Sequence, residues 1–364
     1  MEKNKKAAST YSEAGVDTEA EEKGLKSLIG YIRKTFTFNE FSVMLDFGYF
    51  ANILNIGNNM GLAVSTDGVG TKILVAQMMG KYDTVGIDCI AMNVNDILCV
   101  GAIPFSMVDY IALQSPEPDL LDEIGKGLLK GAEIAQISIP GGEIAQVREM
   151  IRGERDNFGF DLVGTAVGLV SLDRIIVGQD IKEGDAVVGL RSSGIHSNGF
   201  TLARKVLFEK GKLTVDTFVP ELDKTIGEEL LTPTRIYVSE VKEMLSLGLG
   251  IKAFVHITGD GLLNLLRVKT GCGFIIDSLP EPQPIFKLIE KIGSVQKEEM
   301  FRVFNMGIGF CIIIDPSDVE KVFSICRKYN TECYRIGYVH GSERKIIIEK
   351  EGLIGRDNKF SRLY

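Results

Sequence analysis

The sequence predicts a mixed α/β protein of two domains, and three observations carry that reading. The chain has 364 residues, more than one ordinary hydrophobic core organises. Strand-like and helix-like stretches are intermixed in both halves, so α/β architecture with mixed sheets of the α+β type fits better than a doubly wound parallel fold. The hydrophobic fraction of 45% and charged fraction of 25% are those of a globular chain and exclude a fibrous or disordered one.

Taken in order, the first sixty residues are polar and glycine-dotted, with one weak helical stretch from Glu21 to Lys34. Leu62 to Thr66 reads as a strand running into DGVGTK. From Thr84, the apolar positions Ile87, Ile90, Ala91, Val94, Ile97, Leu98 and Gly101 recur at helical spacing. The same helix carries Asp88, Asn93, Asn95 and Asp96. FSMVDYIAL (105–113) is strand-like, and Asp119, after Pro116 and Pro118, is placed to cap a helix reaching Ala135. A short strand at Ile137 to Ile139 leads into PGGE, and DLVGTAVGLV (161–170) reads as another strand. Between Ser171 and Gln179 one set of elements ends and a second begins, giving domains of residues 1–173 and 174–364. The second set has a strand at Ala186 to Leu190, the loop SSGIHSNG, a helix from Phe200 and a strand at Ala253 to Ile257. The turn TGDG, strands near Phe274 and Phe310, a helix from Asp318 and strands near Tyr334 and Ile346 complete it.

Charge and cysteine usage narrow the function. Lys plus Arg number 41 and Asp plus Glu 49, a net charge of −8, which disfavours generic binding to nucleic acid or an anionic membrane. An anionic ligand must then be held locally, by loop amides, a few cations or a metal. The six cysteines form no C-x-x-C pair and mostly sit in apolar runs, as in GFCIII around Cys311. They read as small buried hydrophobes of a reducing compartment. The three histidines, His196, His256 and His340, are too scattered for a zinc signature. MEKNKKAAST is lysine-bearing with no apolar run behind it, and the longest apolar run, around Met306 to Ile314, is too short to span a membrane. These features predict a cytoplasmic protein.

The chain lacks a G-x-x-x-x-G-K-[ST] loop, a G-x-G-x-x-G helix start and a G-x-S-x-G elbow, disfavouring P-loop, dinucleotide-binding and hydrolase folds. It has instead polar, glycine-rich turns at strand ends: STDGVGTK (65–72), PGGE (140–143), SSGIHSNG (192–199) and HITGDG (256–261). Such turns suit polyphosphate, because glycines let N–H groups approach oxygens and a lysine adds a point charge. Carboxylates would repel phosphate without a hard cation between them, so Asp67, Asp96 and Glu143 suggest Mg²⁺. Each turn taken alone reads first as an ordinary hairpin or cap with solvated acids. The loop around His196 reads as a strand-to-helix connection whose Ser and Asn satisfy a helix start, and His256 as a core histidine.

The series YSEAGVD (11–17), STDGVGTK, DTVGIDCIAMNVNDILCVGA (83–102), PGGE, SSGIHSNG, LLTPTRIYV (230–238), HITG and FNMGIGF (304–310) resembles the phosphoribosylformylglycinamidine cyclo-ligase, or aminoimidazole ribonucleotide synthetase, family in order and over nearly the whole chain. The resemblance implies two α/β domains, with N-terminal sheets of two subunits pairing into a barrel across a homodimer. It implies the fifth step of purine biosynthesis: formylglycinamidine ribonucleotide and ATP give aminoimidazole ribonucleotide, ADP and phosphate, with Mg²⁺ and K⁺. An amide oxygen is a poor leaving group; phosphorylated as an iminophosphate, it departs as phosphate when the ring closes, leaving the enzyme positioning and charge neutralisation. Carried over, Asp67, Asp96 and Glu143 are the metal ligands. Gly68, Gly70, Thr71, Lys72, Asn95 and Asn198 meet nucleotide or substrate, and His256, His196 and Asp67 serve catalysis.

Some positions depart from the family pattern. GGEIAQVREM stands where the family commonly reads GGETAEMPG, placing Ile144 and Gln146 at a Thr and an acid. TGDG replaces TGGG at Asp260, and Ile29 stands where a nucleotide-linked lysine is expected, with Lys26 nearest. The alternatives are a relative in the same ATP-using superfamily, of the thiamine-monophosphate kinase, selenophosphate synthetase or hydrogenase-maturation type, or a non-catalytic paralogue. No cysteine lies in a glycine-rich N-terminal loop as selenophosphate synthesis wants, and retention of Asp67, Lys72, Asp96 and His256 opposes a paralogue.

Overall fold

A computed structural model describes residues 18–364, with side chains from Lys23 onward; the YSEAGVD segment lies outside the described residues. The helices are α1 (Thr18–Ile32), α2 (Lys72–Met79), α3 (Val85–Leu98), α4 (Pro118–Ala135), α5 (Phe200–Arg204), α6 (Ile226–Leu230), α7 (Val238–Ser246), α8 (Pro284–Gly293), α9 (Lys297–Val303) and α10 (Val319–Lys328). The first sheet contains β1 (Asn52–Asn55), β2 (Met60–Gly68), β3 (Ile103–Leu113), β4 (Gly142–Gln146) and β5 (Phe160–Ser171), in the order β1-β2-β5-β3-β4. Its pairs are antiparallel except β3–β4.

A two-stranded hairpin, β7 (Phe218–Val219) and β8 (Lys224–Thr225), follows β6 (Ala186–Arg191). With β6, the second sheet takes in β9 (Ile251–His256), β10 (Gly273–Ile276), β11 (Ile308–Ile314), β12 (Cys333–His340), β13 (Ile346–Ile348), β14 (Leu353–Arg356) and β15 (Lys359–Arg362). The order is β15-β14-β13-β10-β12-β6-β11-β9, with β10–β13 its parallel pair. Both sheets are therefore mixed, as the irregular alternation in sequence predicts.

α3 sits between the layers. Every residue of it except Ile87 and Asp96 is buried, because it packs on β2 and β5 on one side and on α4, α7 and β9 on others. Burying each of its isoleucines and leucines contributes roughly 1.5–3 kcal/mol. Its approach to α4 is set by glycine: a Cβ on Gly86 would stand 2.3 Å from the Leu128 nitrogen, and one on Gly127 2.5 Å from the Asp83 carbonyl oxygen.

Several local expectations are corrected. Ile137 to Ile139 is no strand; Ser138 makes one isolated bridge to Ser106. α4 starts two residues earlier than expected, with Glu117 as N-cap in place of Asp119 and Pro118 first in the helix, where its missing N–H costs nothing. The helix from Phe200 turns after Arg204 into a π segment, Lys205–Lys210.

Candidate active site

The carboxyl end of β2 and the polar residues of α3 meet the second half of the chain. Their partners show two clusters with different chemistry.

The first is a closed polar hub. Lys72, at the start of α2, is fully buried and lies 2.8 Å from Asp88 of α3. Its ammonium group also donates to the carbonyls of His196 at 3.3 Å and Thr232 at 2.7 Å. Asp88 Oδ1 further accepts from the Thr234 N–H and hydroxyl, both at 2.7 Å, and from Ser197 at 3.2 Å. Burial pulls the Lys72 pKa down and Asp88 pulls it back up. Every donor of Lys72 is thus engaged by protein here, and it ties DGVGTK, SSGIHSNG and LLTPTRIYV together.

His196 belongs to the same closed region. Its ring is buried with a backbone φ of 67°, and the Ser193 N–H donates to Nε2 at 3.1 Å. The proton therefore sits on Nδ1, which has no partner among the described residues. Burial first, then the charges of His256 and Lys72, hold its pKa well below the ordinary imidazole value, so it is neutral. Gly309 makes room for it, since a Cβ there would lie 2.4 Å from His196 Cε1 and 2.2 Å from the Tyr237 hydroxyl. Asn305 fixes the loop by donating to the carbonyls of Gly194 and Ile195 at 2.9 and 3.1 Å.

The second cluster is open. His256, at the end of β9, is fully buried and its Nδ1 lies 2.8 Å from Asp96 Oδ1. Asn95 Nδ2 faces Nε2 at 3.4 Å; a donating amide there leaves the proton on Nδ1, directed at Asp96. Asn95 is itself fixed by the Arg235 carbonyl at 2.9 Å and the Tyr237 N–H at 3.1 Å. Asn93 donates to the Asp67 carbonyl at 3.1 Å. The Asp67 carboxyl accepts the Gly68 N–H at 2.8 Å, yet its pKa is raised to about 6, chiefly by burial and then by the charge of Asp96. A carboxyl whose charge is disfavoured by a neighbouring carboxylate suits a hard divalent cation.

Glu143 is not brought to this pair. β4 registers Glu143 with Tyr110 and Gly142 with Asp109, whereas Asp67 registers with Gly164 and through it with Asp109. Neighbours in register share a face, so Asp67 faces α3 and Glu143 the opposite side of the sheet. Among the described residues no group of three or more His, Cys, Asp or Glu side chains is arranged to hold a metal. Ile144 and Gln146 lie on the same edge strand and are exposed. Thr71 contacts Thr201 across the two halves at 3.2 Å. Asn198 faces the TGDG turn, its Oδ1 being 3.6 Å from where a Cβ on Gly259 would lie. In that turn Asp260 has a φ of 71°, a conformation in which glycine is the unstrained residue.

A cavity of about 710 Å³ adjoins the turn, lined in part by Tyr49, Asp260, Asn264, Arg267 and Arg344. Arg267 shapes it by donating to the carbonyls of Gly48 and Tyr49, both at 3.0 Å, while stacking 4.2 Å over Phe50. The Tyr49 hydroxyl donates to the Cys99 carbonyl at 3.3 Å, one turn beyond Asp96. Sequence reasoning missed Tyr49, Asn264 and Arg267, which carry no motif. It also left Asp88 and Asn93 without roles, although polar groups on a helix apolar nearly all round must find partners in the protein.

Fold and site together define a class: two mixed α/β units whose junction presents a carboxylate pair and a histidine beside a ligand-sized cleft. The family models for AIR synthase related proteins match here, the N-terminal domain over residues 48–170 and the C-terminal domain over 182–350. A phosphoribosylformylglycinamidine cyclo-ligase of Methanothermobacter thermautotrophicus is 49% identical, covering 87% of this chain and 90% of that protein. One of Methanocaldococcus jannaschii is 48% identical over 91% and 92%. A thiamine-monophosphate kinase from Stenotrophomonas maltophilia K279a shares the fold, with a TM-score of 0.59 at 18% identity over 87% of this chain and 94% of that one. The chain belongs to the phosphoribosylformylglycinamidine cyclo-ligase family. It is an ATP-using ligase of purine biosynthesis that forms a C–N bond.

Proposed function

We propose that this site closes the imidazole ring of aminoimidazole ribonucleotide by way of an iminophosphate. The formyl oxygen of formylglycinamidine ribonucleotide attacks the γ-phosphorus of ATP and ADP leaves. The neighbouring amine then attacks the activated carbon, and the oxygen departs on inorganic phosphate. The observation that carries this reading is the convergence of Asp67, Asp96 and His256 from both halves of the chain.

Asp67 and Asp96 would hold Mg²⁺, which when bound neutralises phosphate oxygens. The Gly70 amide, and the Gly68 amide once it releases the Asp67 carboxyl, would meet the phosphates, and Asn198 lies by the TGDG turn to meet substrate. His256, oriented by Asp96 and Asn95, moves the proton released on ring closure. His196 supports the loop beneath, and Lys72 its floor. The cavity beside Tyr49 and Arg267 has the volume of a small-molecule site. K⁺ dependence and a cytoplasmic location complete the family expectation.

The division at Asp173 and Arg174 separates the unit bearing the carboxylates from the unit bearing His256. The outward face of the first sheet exposes Phe105, Val108, Tyr110 and Leu169, each between 38% and 44%, and such an apolar face supports pairing with a second copy. Glu143 lies on that face. The test is a steady-state assay of ATP with synthetic substrate. Equal yields of ADP, phosphate and aminoimidazole product are expected; ATP turnover without the imidazole would overturn the reading.

A further inference from the structure

Between β10 and α8 the residues Leu279, Pro280, Glu281 and Pro282 form one wall of a cavity of about 230 Å³, smaller than a drug-sized site. Its apolar side is made by Ile276, Phe301, Met306 and Ile348, each no more than 4% exposed. Charged groups of both signs line the rest of it. Lys287 pairs with Glu281. Lys297 lies 3.5 Å from Glu290 and 3.2 Å from Glu351, so one ammonium group serves two carboxylates. Lys350, next to Glu351 in the chain, makes no ion pair among the described residues. A surplus carboxylate and an unpaired ammonium beside an apolar surface complement a small ligand that carries both charges and an apolar body.

The same walls hold the loop SSGIHSNG. Arg191 donates to the Glu281 carbonyl at 2.7 Å. The Gln283 amide donates to the Ser192 carbonyl at 2.7 Å and to its hydroxyl at 3.3 Å. On the apolar side, Met306 has a φ of 47°, a left-handed backbone uncommon for a residue with a side chain. It stands between two residues that grip the loop. Asn305 accepts from the Ser192 hydroxyl at 3.1 Å and donates to the Gly194 and Ile195 carbonyls, and the Gly307 carbonyl accepts the Ser192 N–H at 3.0 Å. Two walls of the cavity therefore converge on Ser192, in the loop that bears His196.

We propose that this cavity is a regulatory site for an α-amino acid with an apolar side chain, and that its occupancy steadies the loop carrying His196 and Asn198. The ligand ammonium meets Glu290 and Glu351, the carboxylate meets Lys350, and the side chain packs on Phe301, Met306 and Ile348. A ligand so held fixes Met306 against the wall of Glu281, and with it the grip of Asn305 and Gln283 on Ser192.

The test titrates the full chain calorimetrically with L-leucine and with two probes that each keep one of its charges, 4-methylpentanoate and 3-methylbutylamine. Leucine should bind saturably, and each single-charge probe should bind about ten- to a hundredfold more weakly, the effect of losing one charge-assisted contact. Lys350→Met and Glu351→Gln, both outside the core, should each weaken leucine by about the same factor. No saturable leucine binding, equal affinity for the three probes, or leucine binding unchanged in both variants would overturn the site. Hydrogen exchange measures the coupling separately. Leucine should slow exchange of the amides of residues 192–199 in the wild type, and less so in Lys350→Met at the same concentration. Bound leucine with unchanged exchange in that loop would overturn the coupling alone.

Discussion

At Lys72 an ammonium group has three protein partners and no solvent. Removing it leaves Asp88 with a buried charge and only hydroxyl and amide donors. Lys72→Met should therefore cost about 3–5 kcal/mol of stability, read as a lower urea midpoint. Unchanged stability with a raised KM for ATP would instead make Lys72 a phosphate ligand. Asp96 behaves differently because its side chain reaches the open cluster, 16% exposed. Asp96→Asn should stay folded yet lose turnover by several kcal/mol of barrier, checked by kcat and its magnesium dependence. Unaltered kinetics would remove Asp96 from the site. At this scale the sequence was legible where a residue type has one outlet: Asp96 and His256 lie at helix and strand ends and meet, with Asp67 near enough for Asp96 to raise its pKa. The protein partners of Lys72 and the sheet face of Glu143 were not legible, because whether a charged side chain meets solvent, a ligand or a buried partner depends on packing from distant segments.

At the scale of elements, α3 and α4 touch backbone to backbone. Gly86→Ala should destabilise by about 1–3 kcal/mol or more, since its methyl would meet the Leu128 nitrogen at 2.3 Å. Gly125→Ala, on the exposed side of α4 with nothing within 4 Å, should stabilise by roughly 0.5–1 kcal/mol. Paired thermal melts check both signs. The 3.6-residue period made α3 and α4 readable, and alternation with glycine made β5 readable. α2 and β4 were not, for a plain reason: Lys72–Met79 is apolar nearly throughout, and Gly142–Gln146 is an exposed edge with no inward-facing apolar row. Ile137 to Ile139 had strand composition but makes only one bridge, Ser138 to Ser106, and β4 continues along the same edge of β3 from Asp109 to Leu113.

At the scale of the whole molecule, two copies are expected to join through the outer face of the first sheet. Light scattering in dilute buffer should report about twice the 40.0 kDa chain mass, and Tyr110→Glu should shift it toward one chain by burying a charge in an apolar contact. A wild-type chain that is monomeric while turning over would contradict the paired sheets. The two mixed sheets were foreseeable from the irregular strand and helix order, and the cavity beside Tyr49 was not, since Arg267 builds it by holding a segment more than two hundred residues away.

The central claim, that ATP activates the formyl oxygen before the ring closes, is tested most directly by isotope. Substrate carrying ¹⁸O in its formyl group should deliver that oxygen to inorganic phosphate, one atom for each aminoimidazole formed. Unlabelled phosphate released alongside authentic aminoimidazole would contradict the iminophosphate route.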